Sequence, residues 1–161
     1  MSRPIASCLA LLAMLAAAPA AAQSAYPGEI WAVYLRSDAC PNCLVVDPAL
    51  ADAKTRFDDA DVVHFTLDLD DPPERFAAVR GALLDRGLAD FYNAYFGLTG
   101  AVFLIAADTG RPVDCLTRRD SAAAMAAAFD GALAYVRETR PGRRIDVIGT
   151  ACPPPMRSVP G

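Results

Sequence analysis

Between residues 30 and 54 the chain passes from an apolar run through a short polar break and a pair of cysteines into helix formers, and that succession constrains the fold more than anything else in it. Ile30-Trp31-Ala32-Val33-Tyr34-Leu35 is rich in aromatic and β-branched side chains, the pattern of a buried strand. Arg36-Ser37-Asp38-Ala39 breaks the run and Cys40-Pro41-Asn42-Cys43 follows. Leu44, Val45 and Val46 then lead into the helix-forming Ala49-Leu50-Ala51-Asp52-Ala53-Lys54. A C-x-x-C at a strand-to-helix junction sets its first sulfur at the helix N-terminus, with Pro41 in the first turn where its missing N–H costs nothing. Backbone N–H groups and the positive end of the helix dipole there favour a thiolate, the nucleophile of disulfide exchange. Cys43, one turn on, is placed to resolve a mixed disulfide.

The chain has 161 residues, enough for one well-buried core. Its 15 basic and 19 acidic side chains give a formal net charge of −4, and no basic cluster exceeds Arg118-Arg119 or Arg143-Arg144. No nucleic-acid partner is expected, because neutralising phosphates needs a basic face. Disorder is excluded by an apolar content of 54% with no long polar tract. Residues 1–22 read as an export signal: Arg3 supplies a positive start, Ile5 to Ala18 is apolar apart from Ser7 and Cys8, and Ala20-Ala21-Ala22 offers a small-residue cleavage site. The expected division is therefore a signal peptide at 1–22, one domain at 23–140 and a Pro-rich tail at 141–161. Cleavage leaves a soluble protein in a periplasmic or secreted location, where Cys40, Cys43, Cys115 and Cys152 can persist as disulfides.

Several further features resemble the thioredoxin family. Pro48 stands five positions after Cys43, where that family has a helix-kinking proline. Val62-Val63-His64-Phe65-Thr66-Leu67 running into Asp68-Leu69-Asp70 is similar to the family's third strand. Gly97-Leu98-Thr99-Gly100-Ala101-Val102 resembles the segment leading into its cis-proline, and Phe103-Leu104-Ile105-Ala106 the strand after it. Asp108-Thr109-Gly110 then turns into Pro112-Val113-Asp114-Cys115-Leu116 as a hairpin. Ser121 is a fitting N-cap for a closing helix with Met125, Phe129, Leu133 and Val136 on its apolar face.

The resemblance spans about residues 28–139 and implies an α/β thioredoxin fold, a central mixed sheet flanked by helices, with a helical insertion at about 74–96. It also implies a thiol:disulfide oxidoreductase without a cofactor, its redox-active centre formed by Cys40 and Cys43, with Pro41 and Asn42 setting the helix-end environment. The implied partners are protein thiols and disulfides, including a membrane or periplasmic redox partner. Three positions depart from the family: Tyr34 replaces a buried aspartate, Ala39 a tryptophan, and Val102 the cis-proline that shapes the peptide groove and keeps metals from the cysteines. A non-proline cis bond is costly, so a trans bond is expected at Ala101-Val102.

Glu74 to Arg86 reads as a helix with Phe76, Val79 and Leu83 on one face, and Leu88 to Phe96 as a second carrying Phe91, Tyr92, Tyr95 and Phe96. These rings either pack the insertion onto the sheet or form a substrate-facing wall beside Val102. His64, the single histidine, sits mid-strand as a structural residue, and Asp68, Asp70, Asp71 and Glu74 form a solvated loop without metal-binding spacing. Asp38 either favours its loop or takes over proton transfer near Cys40. No metal site is expected under the enzyme reading. The alternatives are a metal-binding module or metallochaperone using Cys40 and Cys43 as soft-metal ligands, and a structural domain whose disulfide never cycles. Beyond Pro141-Gly142, Cys152 has two possible partners: Cys115, in a structural disulfide, or Cys40, in a three-cysteine relay.

Overall fold

The computed structural model of the chain describes residues 29–57, 61–145, 147 and 151–157. The expected export signal lies outside the described residues, as do Asp146 and residues 148–150 of the tail. Among the described residues no helix is long and apolar enough to cross a membrane.

The elements run β1 (Ile30–Arg36), α1 (Cys43–Lys54), β2 (Val62–Asp68), α2 (Pro73–Leu84), α3 (Ala89–Tyr95), β3 (Ala101–Ala106), β4 (Arg111–Thr117) and α4 (Ala122–Glu138), followed by a short 3-10 turn at Pro141–Arg143. The four strands form one mixed sheet in the order β2-β1-β3-β4. β1 is parallel to β2 and antiparallel to β3, and β3 is antiparallel to β4. The α/β class expected from the sequence is thus present. A strand with neighbours on both edges and helices on both faces has no solvent side, which is why β1 reads as an unbroken apolar run.

Successive side chains of β1 divide between two cores, as the two-residue period of a strand requires. Ile30, Ala32 and Tyr34 join Val102, Leu104 and Ala106 of β3 under α1 and α4, whose Val46, Leu50, Met125, Phe129 and Leu133 close that side. Trp31, Val33 and Leu35 face the other way, against Leu83 of α2 and Phe91 and Tyr95 of α3. Ser121 caps α4, its hydroxyl accepting the Ala124 N–H at 3.2 Å. The Asp108-Thr109-Gly110 turn joins β3 to β4 with Gly110 at φ +66°, a left-handed conformation that glycine takes without strain.

The aromatic residues of α3 pack the sheet. Phe103 stands 4.4 Å from Tyr95 and 5.0 Å from Phe91, centroid to centroid, while Phe96 stacks beside Tyr92 at 5.0 Å. Val102 belongs to the opposite core, so the alternative of an aromatic wall beside Val102 does not hold: adjacent strand residues point to opposite faces. Val102 is fully buried and paired with Tyr34 and Leu116, and among the described residues no peptide bond is cis. His64 sets its ring edge-on to Phe129 at 5.6 Å, a packing position on β2.

Phe129 is wholly buried, touching Phe57 and His64 as well as the sheet. Phe129→Ala is expected to cost about 3–5 kcal/mol of stability, the range for deleting a buried phenyl ring. Urea unfolding followed by circular dichroism measures this; a loss below about 1 kcal/mol would contradict the assignment of this ring to the centre of the core.

Candidate active site

Cys40 and Cys43 sit where β1 hands over to α1 and are joined by a disulfide, with Cα atoms 5.3 Å apart. Cys43 is the first residue of α1 and Asn42 its N-cap, so Pro41 lies in the preceding turn and not, as the spacing predicts, in the first helical turn. The helix start is displaced because the chain must first close a tight turn. In that turn the Cys43 N–H donates to the Cys40 carbonyl at 3.1 Å and to the Cys40 sulfur at 3.2 Å. The sulfur of Cys40 therefore faces the open N–H end of the helix, where unpaired donors favour negative charge. Both cysteines are buried, Cys40 keeping 6% of its surface exposed and Cys43 1%.

Pro48 lies inside α1 and has no N–H for the carbonyl of Leu44, which stands at the exposed surface with its side chain 70% accessible. Val45 is also exposed, so two large apolar side chains directly after Cys43 face solvent. Gly100 lies against the cysteine loop, at φ +81°. A methyl group added there would stand 2.6 Å from Asn42 Cβ and 3.2 Å from the Cys40 sulfur. Only a glycine fits between the Cys40–Cys43 loop and β3. The residue pressed against Cys40 is thus Gly100, whereas Val102, two residues on, is sealed in the core. A Gly immediately before an apolar strand was the available signal, but its partner across the fold was not.

The loop entering the site is held by Arg36 at the end of β1. Its guanidinium pairs with Asp38 at 2.8 Å, with Asp47 of α1 at 3.1 Å and with Asp68 of β2, and these three hydrogen-bonded carboxylates push its pKa up. Asp38 is thereby engaged at the surface, its side chain 72% exposed. The Asp70 carboxylate accepts the Asp38 N–H, which together with Ser37 holds Asp70 below the usual carboxylate range. Part of the acidic set that reads as a solvated loop therefore tethers the segment before Cys40. Asp71 makes an ion pair with Arg75 at 3.4 Å.

Tyr34 points toward α1 and donates its hydroxyl to Asp47 at 2.8 Å. Burial, followed by the hydrogen bond to Asp47, pushes the phenol well above its ordinary range, so it remains a donor. Asp47 follows Cys43 by four positions, one helical turn along α1. Tyr34, Asp47, Lys54 and Thr66 line a pocket of about 170 Å³, and burial lowers the Lys54 pKa. Neither Arg36 nor Asp47 stood out in the sequence, since a single charge in a helix or at a strand end has no distinguishing pattern.

Cys115 on β4 and Cys152 in the tail form a second disulfide, Cα to Cα 5.0 Å, so Cys152 is paired with Cys115 and not with Cys40. Among the described residues no three His, Cys, Asp or Glu side chains gather in a way that could hold a metal ion. No known family model matches the chain, and no curated protein matches it in sequence.

Arg36→Ala removes one cation from three carboxylates and unties the loop before Cys40. With each partly exposed pair worth about 0.2–1 kcal/mol, the expected loss is about 1–2 kcal/mol in urea unfolding at low salt, shrinking in high salt. A salt-independent loss would show that the guanidinium acts through packing alone.

Proposed function

We propose that the chain is an exported thiol:disulfide oxidoreductase of the thioredoxin type, acting on protein disulfides or dithiols through Cys40 and Cys43. The observation that carries this reading is the disulfide-linked pair at the β1–α1 junction, with the Cys43 N–H directed at the Cys40 sulfur. The β2-β1-β3-β4 order, with one parallel and two antiparallel pairings, agrees with the sheet expected of that family. On this reading α2 and α3 correspond to the helical insertion. The apolar segment at 1–22 supports a periplasmic or secreted location.

In the reducing direction the Cys40 thiolate attacks one sulfur of a client disulfide, forming a mixed disulfide and expelling the other client sulfur as a thiolate. Cys43 then gives up its proton and attacks the Cys40 sulfur, releasing the second client thiol and leaving Cys40–Cys43 oxidised. Two electrons pass to the client, and the reverse sequence oxidises a client dithiol. Pro41 and Asn42 shape the turn that brings the Cys40 sulfur to the helix end. Reduction of the pair requires a dithiol partner, the kind of protein a periplasmic or membrane redox carrier supplies.

The helix-end position predicts that reduced Cys40 has a pKa well below the free-thiol value of about 8.5, with Cys43 the less reactive thiol. Iodoacetamide labelling of the reduced protein between pH 5 and 9, read for each cysteine by mass spectrometry, is expected to give selective Cys40 modification at pH 6. Equal labelling of the two at that pH would remove the assignment of Cys40 as nucleophile.

A further inference from the structure

The first turn of α1 carries the N–H groups that face the Cys40 sulfur, yet the usual means of holding such a turn are missing from it. Asn42, the N-cap, makes no capping hydrogen bond with its side chain, and no acidic side chain stands in the first turn. Pro48 leaves the Leu44 carbonyl without its helical partner, so the hydrogen-bond ladder is interrupted within the first two turns. A helix end of this kind frays unless something outside the helix fixes it.

Asp47 supplies the fixing point. It follows Cys43 by one helical turn, and each of its carboxylate oxygens takes a donor from β1: Oδ1 the Tyr34 hydroxyl at 2.8 Å, Oδ2 the Arg36 Nε at 3.1 Å. Tyr34 and Arg36 are two positions apart on one strand and so share a face, which lets the pair grip Asp47 from β1 with fixed orientation as well as distance. Tyr34 belongs to the same core as Cys40 and Cys43. Burial, then the bond to Asp47, keeps its phenol protonated, so the donor is always present. Arg36 also pairs with Asp38 at 2.8 Å, two residues before Cys40. One guanidinium therefore sets the loop that carries Cys40 and the helix that faces it in a fixed relation.

We infer that Asp47 is a positioning residue of the Cys40–Cys43 site: clamped to Tyr34 and Arg36, it holds the open end of α1 against the Cys40 sulfur and thereby stabilises the Cys40 thiolate. The inference rests on the oxidoreductase reading and adds to it the residue that sets its nucleophile. Asp47 acts through the helix and exchanges no proton with either cysteine.

Position and charge predict opposite results when Asp47 is removed. Around it stand Arg36 of β1, Lys54 further along α1, and Asp38 and Asp68 across the Arg36 guanidinium. Deleting a carboxylate leaves this set more positive, so charge alone would favour the thiolate and lower the pH at which Cys40 reacts. Loosening the helix end does the reverse.

The test is the pH profile of iodoacetamide labelling at Cys40, read by mass spectrometry between pH 5 and 9 on the reduced full chain at constant ionic strength. Asp47→Ala is expected to raise the midpoint by about one pH unit, roughly a tenfold loss of thiolate below both midpoints. Asp47→Asn, as neutral as alanine but with an amide oxygen that still accepts the Tyr34 hydroxyl, is expected to fall between wild type and Asp47→Ala. A midpoint that stays or falls in Asp47→Ala, or one as high in Asp47→Asn as in Asp47→Ala, would overturn the proposal. If circular dichroism shows that Asp47→Ala does not fold, Tyr34→Phe removes one bond of the clamp and leaves every charge in place. Its midpoint should rise by about half a unit, and no rise there counts equally against the clamp. Wild-type protein whose Cys40 reacts at no lower pH than Cys43 would instead remove the oxidoreductase reading, and the proposal with it.

Discussion

Everything in this molecule is arranged around β1, a strand paired along both edges and covered on both faces. Its alternate side chains must be buried twice over, so helices are required above and below the sheet. α1 and α4 answer Ile30, Ala32 and Tyr34, and α2 and α3 answer Trp31, Val33 and Leu35. Because β1 is central, the loop leaving its end emerges between its two neighbours in the sheet. That loop carries Cys40, and α1 turns back over the sheet from it, presenting its N–H end to the sulfur.

The two disulfides divide the work by their separation along the chain. Cys40–Cys43 spans 3 positions and constrains little beyond its own turn. Cys115–Cys152 spans 37, so it removes far more freedom from the unfolded chain and ties the tail to the edge strand. The loop around the former is held independently of that bond, by Arg36 and its three carboxylates and by Asp70.

Much of this was legible in the sequence where a local pattern had one structural solution. The apolar runs at 30–35 and 62–67 became β1 and β2, Ser121 capped α4, and the Asp108-Thr109-Gly110 turn joined β3 to β4. Element ends were less legible: α1 begins at Cys43 because the turn between the cysteines consumes the residues that a helix-first reading assigns to its first turn. Least legible were contacts between distant segments. Gly100 meets Asn42 and Cys40, Tyr34 meets Asp47, and Arg36 gathers Asp38, Asp47 and Asp68 from three elements. No spacing in the chain encodes these meetings, which follow only once the sheet order is set. The position of Val102 illustrates the point: it aligns with a groove-forming residue, yet strand pairing on both sides buries it completely.

The central claim is that Cys40–Cys43 cycles while Cys115–Cys152 stands. Equilibration of the full chain in graded glutathione and dithiothreitol buffers, followed by acid quench, alkylation and peptide mapping, reads each disulfide separately. The account predicts that Cys40–Cys43 is half reduced between roughly −270 and −120 mV, the span of known exchange catalysts, with Cys115–Cys152 still closed there. A Cys40–Cys43 pair that stays oxidised to below about −300 mV, as structural disulfides do, would contradict it.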